Sequence, residues 1–337
     1  MITIVVVSLL IFIFMGVPIC FSIMLSGFLA VALTDAFPLY MTVQRFIGGI
    51  NSFSLMAIPF FIMAGQIMSV GGISRRIVGF CSAIFSWLRG GLSIVCVGAN
   101  MIFAGISGSG VANISAIGSL TAPSMIERGY GRGYVGALVA ASGSIGPIIP
   151  PSCEMIVFAS ITGFSVSRMF MGAVLPGLGL GLMFMITCYL YAKAKNIDYG
   201  GKFSLRATWI AFKDAVWALI MPLIIVGGVV TGTFTATESG AIACVYGVIV
   251  GLFVYKELHI KDIIPCFFNS TKSTAQCMMI LGASTLYAYI FTVENMGEVL
   301  QNFLLGITGS TLGIMVITAG LMIFIGMFME TLAVMPV

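Results

Sequence analysis

Charged residues are few: Lys, Arg, Asp and Glu make up 8% of the 337 positions, while 60% are hydrophobic. A mean hydropathy of +1.15 is far beyond what a water-soluble core needs, so lipid is the solvent. Histidine occurs once, at His259 in the polar stretch KELHIKD, with no H-x-x-E or G-x-S-x-G motif. That leaves no metal cluster or nucleophile–base pair for an enzyme, and His259 reads as a solvated loop residue. The eight cysteines lack C-x-x-C spacing and lie nearly all inside apolar runs, so they read as small core residues. No basic residue precedes the first apolar run, which is far longer than the core of a secretory leader, so it reads as a first span. The bases form no continuous stripe, so the net charge of +4 does not indicate a nucleic-acid partner.

What the chain does have is charge-free apolar runs of about 20 residues, the length that crosses a bilayer. They recur at 2–33, 51–70, 169–192, 215–234, 239–255 and 277–293, and the whole chain predicts roughly nine to eleven crossings. Basic residues mark the cytoplasmic side. Twelve of the fifteen fall in alternate loops: Arg45; Arg89; Arg128 and Arg132; Lys193, Lys195, Lys202, Arg206 and Lys213; Lys256, Lys261 and Lys272. The same threading places Arg75, Arg76 and Arg168 outside and gives an external N-terminus. The polar stretch 193–214 reads as a cytoplasmic linker carrying an amphipathic helix.

Two regions are irregular. Between Arg89 and Glu127 lie 37 residues without a charge, too many for one straight helix and too few for two full spans with a loop. A re-entrant hairpin fits that length. Its centre, FAGISGSGVAN (103–113), alternates glycine and hydroxyl residues that weaken a continuous helix. Broken backbone at membrane depth costs several kcal/mol per unpaired group unless it is buried or lines a polar cavity. Freed carbonyls with the Ser107 and Ser109 hydroxyls are hard oxygen ligands for a small cation, and the following half-helix turns its positive end toward an anion. The same residues also suit a close-packed glycine face between helices.

The second region, SGSIGPIIPPS (142–152), carries three prolines in five residues, and proline both removes an amide donor and blocks the carbonyl four residues earlier. Two neighbouring discontinuities in an apolar sequence point to a transporter's binding site. Glu154 follows the break and is a candidate for coupling; snorkelling toward a polar cavity and pairing with Arg168 are its other readings. A weak repeat relates GGISRRI (71–77) and the first break to NMGEVL (295–300) and FMETL (328–332), which predicts two structural repeats. The second hairpin would turn near Glu330 and Thr331, and a second broken span would fall beyond Val337, so the chain is expected to be truncated.

The segments GGISRRIVGF (71–80), LRGGLSIVCV (88–97), FAGISGSGVANISAIGS (103–119), GPIIPPS (146–152), TGTFTATESGAIACVYG (231–247) and GMFMETLA (326–333) together resemble the large membrane subunit of tripartite ATP-independent periplasmic transporters, over essentially the whole chain. The resemblance implies an all-α polytopic membrane protein of the ion-transporter superfamily. Its architecture would be two structural repeats with re-entrant helical hairpins and broken helices, working as an elevator in a bacterial inner membrane. The implied organisation is N-terminal scaffold spans at 1–70, and a first arm, hairpin and broken span of the transport domain at 71–166. A span with cytoplasmic linker follows at 167–214, then scaffold spans at 215–275 and a second arm with the start of a second hairpin at 276–337.

The implied function is sodium-coupled import of an organic acid anion, such as a C4-dicarboxylate, sialic acid or sugar acid. A periplasmic binding protein would deliver the anion, a small four-span membrane subunit would be the partner, and Na+ the coupling ion. Carried over, the ion ligands are Ser107, Gly108, Ser109 and Asn113 at the tip, Gly146, Pro150, Pro151 and Ser152 at the break, and Glu330 and Thr331 in the second hairpin. The substrate would meet Ser107, Gly108, Ser109, Gly110, Asn113, Pro151, Ser152 and Glu154. The chain departs from many relatives by having Gly110 for alanine, Asn113 for aspartate and Glu154 for an uncharged residue, which argues against a charge-based ion site at 113. Glu238 in TATES matches the family pattern and reads as a helix cap. A single-component sodium/dicarboxylate symporter and an ion channel are the competing functions.

Overall fold

A computed structural model describes residues 1–195 and 203–327. Among these residues the protein is helical throughout, with fifteen α-helices: α1 (Ile2–Phe14), α2 (Ile19–Thr34), α3 (Tyr40–Ile50), α4 (Ala57–Val70), α5 (Ile73–Phe85), α6 (Gly91–Ser107), α7 (Gly110–Glu127), α8 (Arg132–Gly143), α9 (Cys153–Thr162), α10 (Val166–Ala194), α11 (Leu205–Val230), α12 (Ala236–Ile249), α13 (Ile260–Val293), α14 (Met296–Ile307) and α15 (Thr311–Gly326). A π-helical turn, Val250–Val254, prolongs α12.

Among the described residues, four helical stretches are long and apolar enough to cross a bilayer, Val166–Ala194, Leu205–Val230, Ala236–Val254 and Ile260–Val293, or six spans if each of two bent helix pairs counts as one. This is fewer than the nine to eleven crossings predicted, because several apolar runs fold as shorter helices. The 2–33 run, expected as one span, is divided by Met15, Gly16, Val17 and Pro18 into α1 and α2. Gly16 there takes a left-handed φ of 80°, a conformation that favours glycine. The loop expected to run from Lys256 to Lys272 is also shorter than predicted, since α13 begins at Ile260 and carries Lys272 within it.

The chain forms two compact units. One comprises the described residues of Met1–Phe53 and Thr274–Val337. Here α1 and α2 pack on each other and share a core with the second part of α13, made of Val5, Ile23, Ala30, Val31, Ala283, Leu286, Tyr287 and Ile290. The axes of Met296–Ile307 and Thr311–Phe324 turn by 117° at their junction.

The other unit is Ser54–Ser273. Lipid tails are as apolar as leucine, so helices in a membrane associate by close packing of small residues rather than by hydrophobic transfer. The α12 face against α4 is built that way from Gly240, Ala243, Cys244 and Gly247, all buried. A β-carbon on Gly240 would come 2.8 Å from Phe60 Cβ, and the Cys244 thiol donates to the Phe60 carbonyl at 3.0 Å. Helix α6 is the centre of this unit: fourteen of its seventeen residues are buried, and it packs against α4, α5, α7, α8, α10 and α11. Of the eight cysteines, six are buried and two half-buried, and none is in a disulfide.

The charged end of this unit corrects one sequence expectation. Arg75 and Arg76, threaded to the outside, make ion pairs with Glu257, at 3.5 and 2.8 Å, and Arg76 a third with Asp214 at 3.4 Å. Asp214 and Glu257 belong to the basic loops assigned to the cytoplasm, so Arg75 and Arg76 lie on that same side. The Arg76 guanidinium also stacks 3.7 Å above the Tyr255 ring. Tyr255 donates its hydroxyl to the Asp214 carbonyl at 2.9 Å, and burial pushes its phenol up to about 12, which keeps it a donor. Arg168 stays at the opposite end, where the neighbouring Ser167 hydroxyl donates to the Val229 carbonyl near the far end of α11 at 2.9 Å.

Candidate functional site

Helix α6 stops at Ser107 because Gly108 turns left-handed, with φ 60°, and α7 restarts at Gly110 with Ser109 as N-cap, its hydroxyl accepting from the Ala112 amide. The two helices pack along each other, so the glycine–serine segment is the tip of a helical hairpin, as its composition predicted. Tip residues Ser107 and Gly108 are buried, Ser109 and Gly110 are half-buried, and Val111 is exposed.

Helix α8 ends at Gly143 and α9 begins at Cys153, leaving an irregular stretch that contains a cis Pro150–Pro151 bond. Ser152 caps α9 by accepting from the Met155 amide at 3.3 Å. It is fully buried.

These two discontinuities face each other. The Cys153 amide donates to the Gly108 carbonyl at 3.4 Å. A β-carbon on Gly108 would overlap the Pro151 carbonyl oxygen, and one on Gly146 would come 2.9 Å from the Gly110 amide nitrogen and the Ser109 carbonyl. Gly110 approaches the Gly143 carbonyl, 3.3 Å from its own hypothetical β-carbon. The contact is therefore main chain on main chain, and it exists because glycine stands on both sides. Ser107, Gly108, Ser109, Gly110, Gly146, Pro150, Pro151 and Ser152 are brought together.

Asn113 lies in the first turn of α7 and is fully buried. Its side-chain oxygen accepts the Ser107 hydroxyl at 2.5 Å, and its amide donates to the Asn100 carbonyl at 3.1 Å. The oxygen that would be the strongest side-chain ligand at the tip is thus engaged within the hairpin. Glu154, half-buried in the first turn of α9, accepts the Ser152 hydroxyl at 3.1 Å, and a carboxylate in that position is favoured by the helix N-terminus. Glu330 and Thr331 lie outside the described residues.

The chemistry of this donor set suits a small hard cation. Prolines 147, 150 and 151 contribute carbonyls and no N–H, and the end of α6 leaves carbonyls without intrahelical donors. Oxygen-only, uncharged coordination of this kind matches a cation such as Na+ better than a soft transition metal. Among the described residues no group of three or more His, Cys, Asp and Glu is placed to hold a metal. Two half-helix N-termini, those of α7 and α9, start beside this stretch.

Elsewhere, Glu238 forms a capping box with Thr235 at the start of α12, as its motif predicted, with the Thr235 amide donating to the carboxylate at 2.8 Å. The His259 side chain is exposed and lies 3.4 Å from Asp262. Sequence reasoning passed over Asn100, Gly65 and Gly105. Gly65 of α4 lets Ser107 approach, 3.3 Å from its hypothetical β-carbon, and Gly105 faces Pro222 of α11 and the Pro150 carbonyl.

Paired helix breaks in a lipid-solvated helical fold define a multi-pass membrane protein built around a central discontinuity. The chain belongs to the tripartite ATP-independent periplasmic transporter family, DctM component, whose model matches residues 6–336. Its relatives include the isethionate TRAP transporter permease protein DctMQ of Oleidesulfovibrio alaskensis, 37% identical over 96% of this chain and 51% of that protein. The C4-dicarboxylate TRAP transporter large permease protein DctM of Pseudomonas aeruginosa is 35% identical over 84% of this chain and 66% of its own length. The 2,3-diketo-L-gulonate TRAP transporter large permease protein YiaN of Escherichia coli is 33% identical over 94% and 74%. The chain thus spans about half of the first relative and two-thirds to three-quarters of the others. The family is one of permease subunits, not enzymes, and places the chain in the bacterial inner membrane.

Proposed function

We propose that this chain forms the membrane pathway of a sodium-coupled importer of organic acid anions. The observation that carries the reading is the main-chain contact between the hairpin tip, 107–110, and the proline break, 146–152. Na+ is held by carbonyls and hydroxyls of Ser107, Gly108, Ser109, Gly146, Pro150, Pro151 and Ser152, with Asn113 bracing the tip. The anion docks beside them at the starts of α7 and α9, near Gly110, where the helix ends favour negative charge. Glu154 lies at the edge of this site and tunes its field. Glu330 and Thr331 supply the corresponding site of the second repeat.

Sodium and substrate bind together and the loaded hairpin unit moves as an elevator, which couples the two fluxes because the empty and doubly loaded states are the ones that cross. A periplasmic binding protein delivers the anion, and a small four-span membrane subunit completes the complex. Relatives named for isethionate, C4-dicarboxylate and 2,3-diketo-L-gulonate support a small anion bearing a carboxylate or sulfonate.

The test is thermal melting of the purified chain in complex with the small subunit and the binding protein, with candidate acids in sodium and in potassium, followed by uptake of the complete system into vesicles with each gradient. A ligand at a hundred times its Kd stabilises by about 2.7 kcal/mol, so a rise in melting temperature confined to sodium, with uptake driven only by the sodium gradient, is expected. Equal responses in the two salts overturn sodium coupling. Conduction without accumulation indicates a channel, and accumulation by the chain alone, without binding protein or small subunit, a single-component symporter.

A further inference from the structure

Asn100 sits at the middle of α6, fully buried, seven residues before the hairpin tip. Its amide group donates to the Cys96 carbonyl at 3.0 Å and to the Ser142 hydroxyl at 2.9 Å. A carbonyl only accepts, so the Cys96 contact fixes which end of the amide is nitrogen. Ser142, in the last turn of α8, passes its own proton to the Val139 carbonyl at 3.3 Å. On the other side, Asn113 donates to the main-chain carbonyl of Asn100 and accepts from Ser107. A directional chain therefore runs from Ser107 through Asn113 and Asn100 to Ser142. It joins the last residue of α6 and the first turn of α7 to the end of α8, one residue before that helix stops.

We propose that Asn100 is a positioning residue that fixes the hairpin tip against the proline break by donating simultaneously within α6 and to Ser142 of α8. The inference rests on the transport reading for its consequence but on the hydrogen-bond chain for its geometry. Two halves of a carbonyl-built site lie on separate segments, tip and break, and both are tied to one buried residue: the tip through Asn113 to the Asn100 main-chain carbonyl, the break through Ser142 to the Asn100 side-chain amide. A shift of either segment changes the cation's coordination before it changes the docking of a larger anion. Removing the two donors should therefore raise the sodium requirement more than the substrate requirement.

The variants are Asn100→Asp, which keeps volume and the side-chain oxygen but cannot make both donations at once, and Asn100→Leu, which keeps volume without polarity. Ser142→Ala is made alone and with each. In the full chain, both Asn100 variants should raise the half-saturating sodium concentration about tenfold, equivalent to roughly 1.4 kcal/mol, with the substrate KM at saturating sodium changed by less than about twofold. Ser142→Ala should add nothing in the Asn100→Leu background, because the two act through one bond. Hydrogen–deuterium exchange, which needs no transport, should rise at 105–112 and 147–153 and stay unchanged along α10. Unchanged exchange at both segments overturns the proposal, as does loosening spread evenly over α10 and α11, which marks Asn100 as a general packing residue. A wild-type chain with no sodium dependence overturns the transport reading, while the exchange pattern still decides the role of Asn100.

Discussion

Gly108 and Pro151 meet main chain to main chain, with the Pro151 carbonyl occupying the place where a side chain on Gly108 would begin. Gly108 also holds a φ of 60°, which costs other residues roughly 1–2 kcal/mol. Gly108→Ala therefore both strains the turn and pushes the tip off the break. Uptake should fall by at least about tenfold, the change that 1.4 kcal/mol produces. Gly129, also left-handed at φ 85° but with open space around it, is the control: Gly129→Ala should retain most uptake.

Asn113→Asp keeps the acceptor for Ser107 and loses the donor to the Asn100 carbonyl. A buried carboxylate against a carbonyl is destabilised in its charged form unless a cation lies close. The variant should melt lower than wild type in potassium and gain more from sodium. Melting curves in the two salts measure it.

Arg75 is largely exposed, with 72% of its side chain accessible, and lies on the same side as Asp214 and Glu257. With Cys20 and Cys277, the two half-buried native thiols, replaced by serine, Arg75→Cys should react with a membrane-impermeant maleimide in inside-out vesicles and not in intact cells. Arg168→Cys should show the reverse pattern. Labelling of both from one side contradicts the placement.

Thr235 caps α12 by accepting from the Glu238 amide at 3.2 Å. Loss of a threonine N-cap costs about 1 kcal/mol, so Thr235→Ala should lower the melting temperature, and Thr235→Ser should restore most of it. Uptake per folded molecule should be unchanged, because the cap is remote from the hairpin in sequence and serves only the start of α12.

Both discontinuities were legible because glycine and proline act on backbone locally: each break needs only its own residues to be recognised. The Thr235–Glu238 cap was legible for the same reason. Arg75 and Arg76 were misplaced because their carboxylate partners lie far along the chain, 138 residues away for Asp214 and 181 for Glu257. Local charge counting does not register a pairing at that separation. The division of the first apolar run was missed because Gly16 and Pro18 are ordinary in membrane helices and change no hydropathy. Asn100 escaped because one amide in an apolar run has no periodicity; what distinguishes it is Ser142 on another helix. That tip and break touch was inferable only from the need to satisfy freed backbone, and the contact itself is tertiary.

The stretch 143–151 contains only glycine, serine, isoleucine and proline, so nothing in it gains or loses a proton at physiological acidity. Its polarity is set by covalent structure: main-chain carbonyls, with three imino acids that accept and never give, and amides already donating inside the bend. Acidification that would neutralise a carboxylate cage leaves such a surface as it was, and dissolved salt has no formal charge there to mask. An acid-sensitive step in this protein accordingly originates outside the carbonyl-lined bend.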